Sequence, residues 1–200
     1  MSGGQASTFD GKCWLAHPSP DQLPARRQSE QVLLVSTVVE PGVSRTDARA
    51  RIRTHLRDSI TQWLGLPLTA ISLASTPGHA PKLWIEGQNK PGVSFSHEVG
   101  LSVAAVNLSG LVGVDVMTVQ NVPDWLTVAR DYLGPTVTYR LQATPQRSRA
   151  LAFAKAWCQH EALLKLHGRH LTEWAEHSEP VGSSVELELL PGLACALALL

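Results

Sequence analysis

The chain has 200 residues, of which 44% are hydrophobic and 17% charged, and its formal net charge is zero with the histidines neutral. A chain of this size buries a core without disulfides, and zero net charge excludes a global field that draws it to nucleic acid or to an anionic membrane. Its three cysteines, Cys13, Cys158 and Cys195, are far apart with no CxxC pair, the pattern of reduced thiols in a cytoplasmic protein.

Residues 1–30 mix Gly, Ser, Pro and polar side chains without a sustained period, and read as loop or as a surface layer held by Trp14. Residues 1–14 lack the basic region and apolar run of a secretory leader. The Val- and Leu-rich stretch 31–39 predicts a buried strand closed by Pro41-Gly42. An amphipathic helix is predicted over 47–64, with Ile52, Leu56, Ile60, Trp63 and Leu64 on one face, Thr46 as its cap and Gly65 after its end. Arg49, Arg53 and Arg57 recur on it at four-residue spacing, and residues 45–57 hold five arginines against one acid, Asp47.

From residue 82 the pattern turns to strands, at 82–85, 93–95, 101–107 and 111–116, with a loop over 87–91. Leu108-Ser109-Gly110 predicts a hairpin joining the last two. A helix is expected after Pro123, ending at Gly134, and a long one over 146–167, stopping at Gly168. The runs Val185-Leu187-Leu189 and Leu193-Cys195-Leu197-Leu199 alternate with period two, as half-buried antiparallel strands joined at Pro191-Gly192. The apolar run 193–200 is far shorter than the roughly 20 residues of a membrane helix. The fold class expected is α+β, with helices packed on antiparallel sheets. Two similar α/β halves, 1–105 and 106–200, are expected to form a pseudo-dimer.

Three segments carry candidate chemistry. Asp115 lies in an apolar strand, where a carboxylate is costly unless paired, bonded to loop amides or bound to a cation. Trp157, Glu161 and Lys165 recur every four residues on the long helix and share a face. Glu161 is either a second carboxylate for a cation or half of an exposed Glu–Lys pair. Lys90 precedes Pro91, which biases it toward extended backbone in a loop, and Ser96-His97 ends a strand. These are candidates for holding phosphate through charge-assisted bonds, or ordinary loop and strand-end residues. His160-Glu161 opens like a zinc-hydrolase motif, but position 164 is Leu, and neither a Walker A loop nor a GxSxG elbow is present.

Taken in order, Asn89-Lys90-Pro91, Ser96-His97, Gly113-Val114-Asp115-Val116 and Trp157-x-x-x-Glu161-Ala162-x-x-Lys165 resemble the 4'-phosphopantetheinyl transferases. The nearest type is the stand-alone, pseudo-dimeric one that serves polyketide, nonribosomal-peptide and siderophore synthases. The clear match covers residues 87–168, with a weaker one over the arginine-rich helix. The resemblance implies transfer of the phosphopantetheine arm of coenzyme A to a serine of an apo acyl or peptidyl carrier protein, with coenzyme A and Mg²⁺ bound in a cleft between the halves. It implies that Lys90, Pro91, Ser96, His97 and His160 bind coenzyme A, and that Asp115 and Glu161 ligate Mg²⁺. Glu161 and Lys165 are then the catalytic pair, Glu161 assisting deprotonation of the serine and Lys165 neutralising phosphate charge. A cytoplasmic monomer without nucleic-acid or membrane partners is expected. The sequence departs from the family where an acid is usual, at Met117, and where a lysine is usual, at His160. Those departures leave open a relative that binds carrier protein or coenzyme A without transfer. Arg26 and Arg27 are candidates for the basic residues that contact coenzyme A in relatives.

Overall fold

A computed structural model describes residues 13–16, 31–76, 78–176 and 180–200. They form an α+β protein whose helices pack on mainly antiparallel sheets. It divides into two compact units, Met1–Val112 and Gly113–Leu200.

In the first unit a four-stranded sheet has the order β1-β2-β6-β5. Its strands are β1 (Cys13–Ala16), β2 (Val32–Val38), β5 (Gly92–Glu98) and β6 (Leu101–Asn107). Strand β1 runs parallel to β2, within a stretch expected to be loop, because the open edge of β2 offers it a ladder of backbone partners. The anchoring role expected of Trp14 concerns its side chain, which lies outside what the structure describes. Helix α1 (Arg45–Leu64) packs on β2 and β6, burying Ala48, Ile52, Leu56, Ser59 and Ile60. Ser44, not Thr46, caps it: the Ser44 hydroxyl accepts the Asp47 N–H at 3.1 Å, and Asp47 sits favourably at the positive end of the helix dipole. Gly65 closes it in the left-handed conformation, as expected. A short 3₁₀ turn, Leu68–Ala70, leads into β3 (Ile71–Ala74), which pairs with β4 (Lys82–Ile85) and was not expected from the sequence. Leu33, Val35, Ile52, Leu56, Ile60, Ile85, Ala104 and Val106 form the core of this unit.

The hairpin expected at 108–110 does not form. Strand β6 is paired along its whole length on both sides, with β2 and with β5, so it has no free edge. The two-residue turn Val99-Gly100 makes the hairpin instead, between β5 and β6, with Gly100 at φ 83°. Strand β5 is correspondingly longer than the expected 93–95.

In the second unit β7 (Val112–Thr118), β9 (Leu193–Leu199) and β8 (Ser183–Leu187) form a sheet of order β7-β9-β8. The expected β8–β9 antiparallel pair is present, Ser183 facing Leu199 and Leu187 facing Cys195. Helix α2 (Trp125–Val128) continues through a π turn, Ala129–Leu133, into α3 (Gly134–Ala143). Gly134 was expected to end this helix; with φ 78° and ψ 174° it instead bends the chain and restarts it. A β-carbon on Gly134 would lie 2.4 Å from the Trp174 indole nitrogen, so the ring packs directly on the bend. Helix α4 (Gln146–Leu166) ends at His167 and Gly168, as its periodicity predicts. Its small face, Ala154, Cys158 and Ala162, lies on Ala194, Ala196 and Ala198 of β9, which allows the helix to approach the sheet closely. Among the described residues no helix is long and apolar enough to cross a membrane.

Candidate active site

The second unit brings Asp115, Glu161 and Lys165 together. Asp115 lies on β7 and is 7% exposed, which places a carboxylate inside an apolar strand flanked by Val114 and Val116. Lys165 reaches it from α4, donating to the Asp115 carboxylate (Oδ1) at 2.7 Å and to the Val114 carbonyl at 3.2 Å. This meeting depends on Gly113. A β-carbon there would stand 1.8 Å from the Ala162 carbonyl oxygen and 2.7 Å from the Leu166 nitrogen, so α4 rests on bare backbone. The glycine of the Gly-x-Asp segment thus sets the distance between the carboxylate on the strand and the two charged residues on the helix.

Glu161 feels the same charge. Burial raises its carboxyl above the ordinary value of 4.5, the negative charge of Asp115 raises it further, and Lys165 draws it back in part. The reading of Glu161 and Lys165 as an exposed helical pair is not what the structure holds, because Glu161 is half-buried and Lys165 is engaged with β7. Cys158, one helical turn before Glu161, is fully buried and gives its thiol proton to the Ala194 carbonyl at 3.3 Å. Burial first, and the Asp115 charge second, push its thiol far up, so it is not a nucleophile.

Two carboxylates that repel each other, with one lysine paired to Asp115, form an oxygen-donor set of net negative charge. That chemistry fits a hard divalent cation such as Mg²⁺, which takes one or two carboxylates and completes its sphere with phosphate oxygens and water. Among the described residues no group of three or more His, Cys, Asp or Glu side chains forms a self-sufficient metal cage. Met117 follows Asp115 by two residues but packs against the apolar core formed by α4 and β9. Trp157 turns away from the charges and joins an aromatic cluster, stacked on Phe153 and edge-on to Tyr132, with ring centroids 5.9 Å apart in each pair.

His160 lies on another side of α4, where it lines a cavity of about 470 Å³ with Tyr132, Arg140, Leu164 and Trp174. Sequence reasoning did not find this cavity, because its wall is assembled from α3, α4, β8 and the irregular segment 169–174, which are distant in sequence.

The remaining candidates belong to the first unit. Lys90 is exposed and, against the expectation of extended backbone, adopts a left-handed conformation with φ 53°. The turn between β4 and β5 over-determines it, and such a conformation in a non-glycine residue costs roughly 1–3 kcal/mol. Pro91 and Gly92 follow, and a β-carbon on Gly92 would lie 2.2 Å from the Gly110 carbonyl oxygen. His97 is half-buried, its Nδ1 2.9 Å from the Ser102 hydroxyl opposite it on β6. Ser96 is 5% exposed, which makes His97 the more accessible of the two. On α1, Arg53 stacks over Phe95 at 5.4 Å and bonds Ser75, while Arg57 bonds the Leu68 and Ile71 carbonyls. Arg26 and Arg27 lie outside the described residues.

Residues 111–196 match the sequence profile of the 4'-phosphopantetheinyl transferase superfamily. A curated protein of Synechocystis sp., named "Putative 4'-phosphopantetheinyl transferase", is 22% identical over 140 residues, which cover 70% of this chain. The match spans 57% of that relative's own length. The matched stretch 111–196 contains the whole Asp115, Glu161 and Lys165 cluster, so it is the part of the chain carrying the candidate site that is similar to the 4'-phosphopantetheinyl transferase superfamily.

Proposed function

We propose that the protein transfers the 4'-phosphopantetheine arm of coenzyme A to a serine of an apo acyl or peptidyl carrier protein, in a Mg²⁺-dependent reaction. The observation that carries the proposal is the convergence of Asp115, Glu161 and Lys165 on the contact between Gly113 and α4. Asp115 and Glu161 would hold Mg²⁺, and the bound ion would stabilise charge on the coenzyme A pyrophosphate. Lys165 would contact the same phosphates and offset the charge that gathers on the leaving oxygen. Glu161, in the same cluster, is assigned to take the serine proton as the hydroxyl attacks the β-phosphate and adenosine 3',5'-bisphosphate departs.

Lys90 and His97, with Pro91 shaping the loop and Ser96 beside them, are assigned to coenzyme A, the strained Lys90 backbone being the feature that supports a ligand role there. His160 is assigned to the same ligand, and the cavity it lines has the size and mixed polarity suited to an extended amide-containing arm. A stand-alone cytoplasmic enzyme acting as a monomer on synthase carrier domains completes the reading. Incubation with coenzyme A, Mg²⁺ and apo carrier proteins tests it by intact mass: one phosphopantetheine is expected on the carrier, and none with chelator.

Met117 supports a second reading, a relative that binds coenzyme A or carrier protein without transfer, because its side chain lies packed where an acid is usual. Calorimetry separates the two, since coenzyme A binding indifferent to Mg²⁺ favours the second.

A further inference from the structure

We propose that Lys165 is a resident counter-ion of Asp115, which keeps a divalent cation out until the pyrophosphate of coenzyme A draws the lysine away. The inference rests on the transferase reading and adds an order of events to it. The Lys165 ammonium pairs with the inner carboxylate, with Nζ 2.7 Å from Oδ1 and 3.2 Å from the Val114 carbonyl. A cation that ligates Asp115 at that oxygen displaces the ammonium or shares the carboxylate with a like charge. Among the described residues the other carboxylate in the cluster is Glu161, and Met117 contributes no oxygen. A metal arriving alone therefore meets Asp115 already paired with an ammonium.

The lysine has somewhere to go. Its side chain is 30% exposed while that of Asp115 is 10% exposed, so the ammonium has a wet side and the carboxylate almost none. A diphosphate approaching that side offers charged oxygens, which outcompete the neutral Val114 carbonyl as partners. Moving Lys165 onto phosphate frees the Asp115 oxygen, and the same phosphate supplies ligands that the protein lacks. Metal and coenzyme A then bind with positive coupling, and linkage makes the coupling reciprocal. Removing the lysine charge removes the barrier, so the binding-competent state no longer has to be selected from a minor population.

The test is Mn²⁺ affinity, by electron paramagnetic resonance or calorimetry, for the full chain and its Lys165→Gln and Lys165→Arg variants, each with and without coenzyme A. Without coenzyme A, Lys165→Gln is expected to bind Mn²⁺ about tenfold or more tighter than the wild type, with Lys165→Arg close to the wild type. Equal or weaker Mn²⁺ binding by folded Lys165→Gln overturns the proposal while leaving the transferase reading intact. Should Lys165→Gln be unfolded because Asp115 loses its partner, Mn²⁺ alone is expected to restore the fold. No restoration, at Mn²⁺ levels that saturate the wild-type complex with coenzyme A, also overturns it. Absence of Mn²⁺ binding by the wild type even with coenzyme A overturns the metal-dependent reading itself, a separately visible result.

Discussion

The Ala162 carbonyl of α4 faces the α-carbon of Gly113 so closely that any β-carbon on that residue would lie 1.8 Å away. The contact is backbone against backbone, and no rotamer change relieves it. Gly113→Ala is therefore expected to destabilise the protein at or above the upper end of the roughly 1–3 kcal/mol typical of overpacking. Because α4 carries Glu161 and Lys165, the surviving folded protein should also lose most of its activity. Chemical denaturation paired with a transfer assay checks both, and a variant as stable and active as the wild type contradicts the role given to this contact.

Asp115→Ala and Glu161→Gln are expected to lower transfer by about 10²-fold or more, the scale of losing a positioned acid–base or charge-stabilising group. Their effects on stability should differ. The Glu161 carboxyl is raised in the fold, so the folded state binds more protons than the unfolded one as pH rises past 4.5. The contribution of this group is thus complete below that pH and is lost as pH rises through the folded value. Glu161→Gln, measured without metal, should match the wild type near pH 4 and exceed it in stability at pH 7. A variant less stable than the wild type at neutral pH contradicts this electrostatic account.

His55 supplies a pH dependence away from the site. Burial lowers its imidazole below the ordinary 6.5, only partly opposed by Asp58 and by the Ser36 backbone, and its Nδ1 lies 3.1 Å from the Thr37 hydroxyl. The unfolded chain protonates first as pH falls, so this stability is present above 6.5 and is lost below it. Melting temperature followed downward from pH 7.5 should decline through this window, and His55→Gln should flatten the decline. An unchanged slope in the variant would place the sensitivity elsewhere.

Met117→Glu tests the departure from the family pattern. The side chain is half-buried against the core that α4 and β9 share, so replacing it should cost about 1–3 kcal/mol of lost apolar burial. If Asp115 and Glu161 hold the metal, an added acid on the same strand face should lower the Mg²⁺ concentration for half-maximal transfer. A higher or unchanged requirement would argue that position 117 does not face the ion.

Much of this organisation is legible in the sequence where one strong local signal decides. The spacing of Ile52, Leu56 and Ile60 and the stop at Gly65 define α1, and the alternation around Leu193 to Leu199 defines β9. The errors fall where long-range pairing decides. Leu108-Ser109-Gly110 looks like a hairpin turn, but β6 has both edges occupied by β2 and β5, which no local window reveals. Gly134 reads as a stop, yet helix resumes beyond it because Trp174, forty residues later, packs on the bend. At the site, Asp115, Glu161 and Lys165 were readable as residue types at helical and strand spacing. Their meeting was not, since it depends on Gly113 lying under Ala162. The left-handed Lys90 ran against the preference set by Pro91, a local rule overridden by the turn that β4 and β5 enforce.

The central claim is transfer itself, and intact-mass spectrometry of an apo carrier protein tests it most directly. With this protein, coenzyme A and Mg²⁺, the carrier should gain the mass of one phosphopantetheine at its serine, with no gain in chelator or with Asp115→Ala. A panel of carriers left unmodified, while an active transferase modifies them in parallel, would contradict the account.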